Sequence, residues 1–114
     1  MLLNIRERLL ALQVLPKESD FLTQRIVRDL RTKIGLSEAD FKTYEIVTLP
    51  TGGIQWNIEK DKGVEIEIGP KSKELIVNGL KELDKQKKVT EDYLSLFEKF
   101  IEVDQLKVID PEIK

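Results

Sequence analysis

The hydrophobic pattern changes its period twice along the chain, and this change limits the possible folds more than any other feature. Between residues 54 and 68, within GGIQWNIEKDKGVEIEIG, apolar and polar residues alternate, which is typical of half-buried strands. Before and after this stretch, apolar residues recur every three or four positions, which is typical of amphipathic helices. We therefore predict an α+β fold in which helices precede and follow an antiparallel sheet.

Two long helices and a short third one are predicted before the sheet. The first covers about Leu2–Val14 and stops before Pro16, because the residue preceding a proline is pushed out of helical geometry. The second can be capped by Ser19 or Asp20 and is closed by Gly35. A turn of helix over SEADFKT follows. The inward face of the second helix is predicted to hold Leu22, Ile26, Val27, Leu30 and Ile34.

The predicted sheet is a three-stranded antiparallel meander. Its strands cover Tyr44–Leu49, Ile54–Ile58 and Val64–Ile68, and the segments PTGG and EKDKG form the turns. Pairing the second strand with the third gives one apolar face, made by Ile54, Trp56, Ile58, Val64, Ile66 and Ile68. We therefore predict that the single tryptophan packs in the core, and a stacking surface for bases or sugars is the alternative.

Two helices are predicted after the sheet. One covers about Lys71–Lys88, and the other begins after Thr90 and carries most of the aromatic residues on one side. Residues 1–103 are predicted to form a single α+β domain. Residues 104–114 are predicted to form a C-terminal tail, which is either flexible or lies on the domain.

The chain lacks the side chains on which most enzymes depend. It has no histidine and no cysteine, so the usual general base near neutral pH, the commonest metal ligand and the thiolate nucleophile are all missing. The acidic pairs Glu65/Glu67 and Glu91/Asp92 occupy positions typical of a solvated strand face and a helix N-terminus. We predict no catalytic residue, no metal site, no cofactor and no small-molecule ligand. An enzyme working through a carboxylate pair is the remaining alternative.

Positive charge is concentrated near the N-terminus. Residues 1–36 hold seven basic and four acidic residues, whereas residues 37–114 hold twelve basic and seventeen acidic ones. Arg25, Arg28 and Arg31 recur every three residues, opposite the predicted apolar face of the second helix. They are either a solvated helix face or a surface for nucleic acid or an acidic partner.

The first helix is apolar on two sides. Leu2, Ile5, Leu9 and Leu12 make one stripe, whereas Leu3, Leu10 and Val14 lie nearly opposite. This second side fits two arrangements. Either the helix is packed between the sheet and another helix, or Leu3, Leu10 and Val14 form a surface for a protein partner or a homodimer.

No segment of the sequence is typical of a membrane protein. The longest apolar stretch, LLALQVL, is far shorter than the roughly 20 residues that span a bilayer. The N-terminus also lacks a basic region followed by an apolar one. We therefore predict a cytoplasmic protein without a membrane partner.

The run LLALQVLPKESDFLTQRIVRDLRTKIGLSEADFK, followed by IQWN and VEIEIG, resembles small uncharacterised proteins encoded by bacteriophages and prophages. The resemblance extends over much of the chain and brings no catalytic or ligand motif with it. It implies a protein made in a bacterial cytoplasm that is part of a virion, takes part in assembly or modifies host machinery.

Two functional hypotheses follow. The first is a non-enzymatic interaction protein, a phage accessory, assembly or host-modifying factor that acts through protein–protein contacts. The second is a nucleic-acid-binding regulator, because three helical segments followed by a β-hairpin resemble the winged-helix order. In that hypothesis the third helical segment, SEADFKT, would be the recognition element. It carries Glu38 and Asp40 against a single Lys42, and the two acidic side chains would repel phosphates.

Overall fold

Helices make up most of the fold, and the strands are short. The computed structural model describes residues 1–102 and confirms the α+β class. The elements are β1 (Leu2–Leu3), α1 (Ile5–Gln13), α2 (Phe21–Ile34), α3 (Glu38–Thr43), β2 (Val47–Thr48), β3 (Ile54–Gln55), β4 (Val64–Glu65), α4 (Pro70–Lys85) and α5 (Leu94–Phe97). Short 3-10 turns lie at Ile58–Lys60 and Glu91–Tyr93, and a π-helical turn at Glu98–Glu102 follows α5. The predicted tail, 104–114, lies outside the described residues.

The strands form two antiparallel pairs, and the predicted three-stranded meander is wrong. β2 pairs with β3, so that Val47 lies opposite Gln55, whereas β4 pairs with β1 at the N-terminus. The chain leaves strand geometry after β3, because the Asn57 side chain accepts a hydrogen bond from the Glu59 N–H (3.1 Å) and starts a 3-10 turn. Ile58, the predicted partner of Val64, is consequently 72% exposed.

The N-terminal residues, rather than the predicted strand Ile54–Ile58, pair with β4. Leu2 lies opposite Glu65, and the Met1 amino group donates to the carbonyl oxygen of Ile66 at 2.8 Å. Helix α1 therefore begins at Ile5 rather than Leu2. Its start is set by a capping box: the Glu7 N–H donates to Asn4 Oδ1 (2.8 Å), and the Asn4 N–H donates to Glu7 Oε1 (3.0 Å).

The core lies where α1, α2, α4 and α5 meet over β1 and β4. Its buried members come from β1, α1, α2, α4 and α5 and from the segments that follow α1, β4 and α5. They are Leu3, Ala11, Leu15, Val27, Leu30, Ile34, Ile66, Ile76, Leu80, Leu96 and Phe100. A second, smaller cluster of Ile5, Tyr44 and Ile46 holds the half-buried Trp56. The predicted apolar floor is therefore only partly formed, because Ile54 and Ile58 are exposed.

Helix α4 passes unusually close to the end of α1. A Cβ placed on Gly79 would lie 2.2 Å from the carbonyl oxygen of Val14 and 2.8 Å from its Cβ. Only glycine fits there without moving backbone, because real Cβ atoms do not approach other heavy atoms so closely.

Within residues 1–102, no helix is both long enough and apolar enough to cross a membrane.

Candidate interaction surface

Arg8 is a buried charged side chain that joins three helices. It is only 4% exposed, and it lies beside the C-terminus of α2. Its Nε donates to the carbonyl oxygen of Ile34 (2.8 Å), and one Nη donates to that of Gly35 (2.8 Å) and to Asp40 Oδ2 (3.0 Å). A cation is favourable at this position, because the last carbonyl groups of a helix lack intrahelical partners. Arg8 therefore has a structural role.

Glu7 is the second buried charged side chain, at 2% exposure. Besides the Asn4 N–H, it accepts a hydrogen bond from Lys99 Nζ at 2.7 Å, and the same ammonium group donates to the Leu2 carbonyl oxygen at 2.6 Å. Burial alone would raise the pKa of Glu7, but hydrogen bonds from Lys99, Asn4 and Ser95 and the charge of Lys99 bring it below the ordinary value. The carboxylate is thus held ionised as part of the fold.

Acid is expected to destabilise the protein through Glu7 and Asp40. Burial would raise the pKa of Asp40, but hydrogen bonds from the Ser37 backbone and from Arg8, with the charge of Arg8, hold it below its ordinary value. A group whose pKa is lower in the folded state stabilises the fold above its unfolded pKa and loses that contribution as pH falls. We therefore expect a constant unfolding free energy from about pH 7 to 5 and a decline below the ordinary Glu value of 4.5.

Urea titrations at several pH values, followed by Trp56 fluorescence, measure this decline. Because the chain has no histidine, no side chain with an ordinary pKa should titrate between pH 5 and 8. The matched variant is Glu7→Gln, which should lose part of the acid dependence. An acid-induced decline of equal size in both proteins would contradict the role assigned to Glu7.

The predicted partner surface on the first helix is mostly covered by the chain itself. Leu3 is completely buried in the core, so its prediction as a surface residue is wrong. Leu10 and Val14 are half-buried and pack against the same core. Helix α1 contacts both α2 and α5. Its two apolar sides therefore correspond to neighbours within the domain, and the small cluster that contains Ile5 of α1 also packs against Val64 of β4.

The predicted arginine surface lies on the exposed side of α2. Arg25, Arg28 and Arg31 are all exposed, and none of them forms an ion pair within residues 1–102. The Arg25 guanidinium lies 5.9 Å from the centre of the Phe21 ring, at the distance of a cation–π contact. The arginines thus share their helix face with an aromatic side chain.

Two apolar residues on this surface were not predicted. Phe21 is 74% exposed, and Leu22, which was predicted to face the core, is 64% exposed. All buried residues of α2 lie from Val27 onward, so the first turn of the helix extends past the core. The sequence does contain a signal for Phe21, because helical spacing puts it on the side of Arg25 and Arg28. We define the α2 face as Phe21, Leu22, Arg25, Arg28 and Arg31.

A shallow groove of about 570 Å³ lies between the end of α1 and α4. It is lined mainly by half-buried apolar side chains, including Val14, Leu75 and Tyr93. The Tyr93 hydroxyl donates to Gln13 Oε1 at 3.4 Å, and burial, with the nearby charge of Asp92, raises the pKa of Tyr93.

Within residues 1–102, no cluster of three or more acidic side chains could hold a metal ion.

The geometry therefore describes a small α+β protein whose buried charged groups serve the fold and whose α2 face is exposed. Comparisons with known protein families, with curated proteins and with solved structures found no match.

Proposed function

We propose that this protein is a non-enzymatic interaction protein that binds an acidic protein partner through the α2 face. The observation that carries the proposal is Phe21, an aromatic ring 74% exposed beside arginines that make no ion pair within residues 1–102. Aromatic and arginine side chains are enriched at the centres of protein interfaces and supply much of their binding energy.

The chemistry of the α2 face defines the partner. Phe21 and Leu22 need an apolar recess, since both expose more than half of their surface. Three guanidinium groups favour carboxylates, with which arginine forms two parallel hydrogen bonds. A partner helix or loop that carries apolar residues between aspartates and glutamates meets both requirements. The resemblance to phage and prophage proteins gives the context: an accessory, assembly or host-modifying factor acting on a phage or bacterial protein.

The absence of enzymatic activity is part of the proposal. Of the residues described, the buried carboxylate is that of Glu7, and it is already bonded to Lys99 and the Asn4 N–H. A carboxylate pair acting in acid–base catalysis would need two such groups facing a substrate.

A winged-helix-like nucleic-acid-binding regulator is the second candidate. The unpaired arginines favour it, and β2–β3 follows α3 as a wing would. Two features favour a protein partner instead. Helix α3 presents Glu38, and its Asp40 already binds Arg8. Leu22 also adds aliphatic surface that a phosphate backbone cannot use.

Replacing Phe21 and Leu22 with serine is expected to weaken partner binding at least tenfold, because loss of a central interface side chain costs about 2 kcal/mol or more. The partner would first be isolated from bacterial lysate with the wild-type protein and then purified. Isothermal titration calorimetry would compare wild type, Phe21→Ser/Leu22→Ser and the control Leu94→Ser, which changes another leucine that is 52% exposed. Equal affinity for all three proteins would reject the α2 face.

Binding to DNA separates the two candidates. We expect no measurable binding of a duplex or single-stranded oligonucleotide at physiological salt. Tight, salt-dependent binding that Arg25→Ala/Arg28→Ala/Arg31→Ala abolishes and Phe21→Ser/Leu22→Ser leaves intact would instead favour the regulator.

A further inference from the structure

The β2–β3 hairpin presents an uncharged strand edge to solvent. Residues 46–57, IVTLPTGGIQWN, contain no Asp, Glu, Lys or Arg in a chain of which 35% is charged. Both strands are exposed, with Val47 at 51% and Ile54 at 36%. Within the described residues β2 and β3 pair only with each other. Natural edge strands are usually protected by charge, by proline or by a bulge, and β3 has none of these within the strand.

The register shows which backbone groups are free to pair. The Leu49 N–H donates to the Gly53 carbonyl oxygen at 2.8 Å, so these two residues form a hydrogen-bonded pair. Because hydrogen-bonded and non-hydrogen-bonded pairs alternate in antiparallel sheets, the next pair, Thr48 and Ile54, turns its N–H and C=O groups outward. Each of the two residues therefore offers its groups to one outer edge of the hairpin.

The two outer edges are not equally accessible. On the β2 side, the Ile46 N–H already donates to the Phe41 carbonyl oxygen at 2.9 Å, so the end of α3 covers part of that edge. No such contact closes the β3 side within residues 1–102, where the N–H and C=O groups of Ile54 point outward. The β3 edge is therefore the more accessible one.

The base of the hairpin is fixed to the rest of the domain. The Asn57 N–H donates to the Tyr44 carbonyl oxygen at 2.8 Å. The Glu45 carboxylate accepts from Asn57 Nδ2 at 3.1 Å and from Lys60 Nζ at 3.0 Å. An edge that is already held in place loses little conformational entropy when it binds a second strand.

We propose that the β3 edge pairs with the β3 edge of a second copy of this chain, antiparallel and around a twofold axis. Free strand groups need a strand as their partner, and a charge-free edge is best matched by one without charge. The hairpin itself meets this condition, and antiparallel pairing of one edge with its own copy is the geometry of a symmetric dimer. The contact is small, so the dissociation constant is expected between about 10 µM and 1 mM.

Sedimentation velocity over a wide range of concentrations tests this pairing with two matched proline variants. Ile54→Pro removes the outward N–H of β3 and is expected to raise the dissociation constant at least tenfold. Thr48→Pro makes the same change on the β2 edge and should change the dissociation constant by no more than twofold. Neither variant removes a hydrogen bond between β2 and β3, because the backbone N–H groups at both positions point away from the neighbouring strand. A dimer lost in Thr48→Pro and kept in Ile54→Pro, or a wild-type monomer throughout the range, would overturn the proposal.

A charge-swap experiment keeps the test valid if a proline variant misfolds. Ile54→Lys and Ile54→Glu place like charges across the twofold axis, so each should be monomeric alone. Mixing them should restore a dimer at least as tight as that of wild type, whereas an equimolar mixture that stays monomeric would contradict the pairing. Phe21→Ser/Leu22→Ser should dimerise as wild type does, because the hairpin edge and the α2 face are separate surfaces.

Discussion

Arg8→Met is expected to lower the free energy of unfolding by about 3 kcal/mol, because it leaves buried acceptors without their donor. The carbonyl oxygens of Ile34 and Gly35 and the carboxylate of Asp40 would all lose a hydrogen bond. We place the value at the lower end of the range for buried ion pairs for two reasons. The Asp40 side chain keeps 20% exposure, and Nη1 of Arg8 has no partner to lose within residues 1–102.

Urea unfolding followed by Trp56 fluorescence measures the effect, since the chain has a single tryptophan. The matched control is Arg25→Met on the exposed side of α2, which should change stability by no more than about 0.5 kcal/mol. The double variant Arg8→Met/Asp40→Ala should be less destabilised than the two single variants added together, because it leaves no unpaired carboxylate. If Arg8→Met were as stable as Arg25→Met, the role of Arg8 in joining three helices would be rejected.

Gly79→Ala is expected to destabilise the protein by about 2 kcal/mol, although alanine favours a helix over glycine by about 1 kcal/mol. The added methyl group would lie 2.2 Å from the Val14 carbonyl oxygen, and a backbone atom cannot rotate away as a side chain can. Helix α4 would therefore have to shift away from the end of α1. Such a shift would loosen the packing of Ile76 and Leu80 in the core.

The control for Gly79 is Gly53→Ala in the hairpin turn. A Cβ there would meet only side-chain atoms, the nearer at 3.7 Å, so stability should change by no more than about 0.5 kcal/mol. Thermal and urea unfolding of both variants would give the comparison. A gain of about 1 kcal/mol for Gly79→Ala, as expected for an unhindered helix position, would mean that the close approach of α4 to α1 is not maintained.

The two proposed surfaces differ in their chemistry, and this difference separates their effects in solution. Binding through the α2 face depends on three arginines, so added salt should weaken it. Pairing through the β3 edge involves uncharged residues, so its dissociation constant should change little between low and high salt. A common salt dependence for both processes would indicate that they use the same surface.

The helices were predictable because their signals are local. Helical spacing and a capping residue predicted α2, and Asp20 caps it by accepting from the Thr23 N–H at 3.1 Å. The sequence also placed α3 correctly over SEADFKT, where Ser37 and Asp40 form a capping box. The start of α1 was misplaced although its signal was present. Asn4 and Glu7 have the spacing of a capping box, which marks the true start. The apolar residues before Asn4 also fit helical spacing, and for this reason the predicted helix begins too early.

The sequence by itself determined the α+β class, the order of most elements and the exposed arginines of α2, because periodicity and caps act between residues a few positions apart. Only the tertiary structure decided which strands pair. A period of two tells which side chains share a face, but it does not tell which edge meets which, and β4 pairs with residues more than sixty positions away. The exposure of Phe21 and the burial of Arg8 were likewise decided by how far α2 extends past the core and where it ends, which depends on contacts between distant helices.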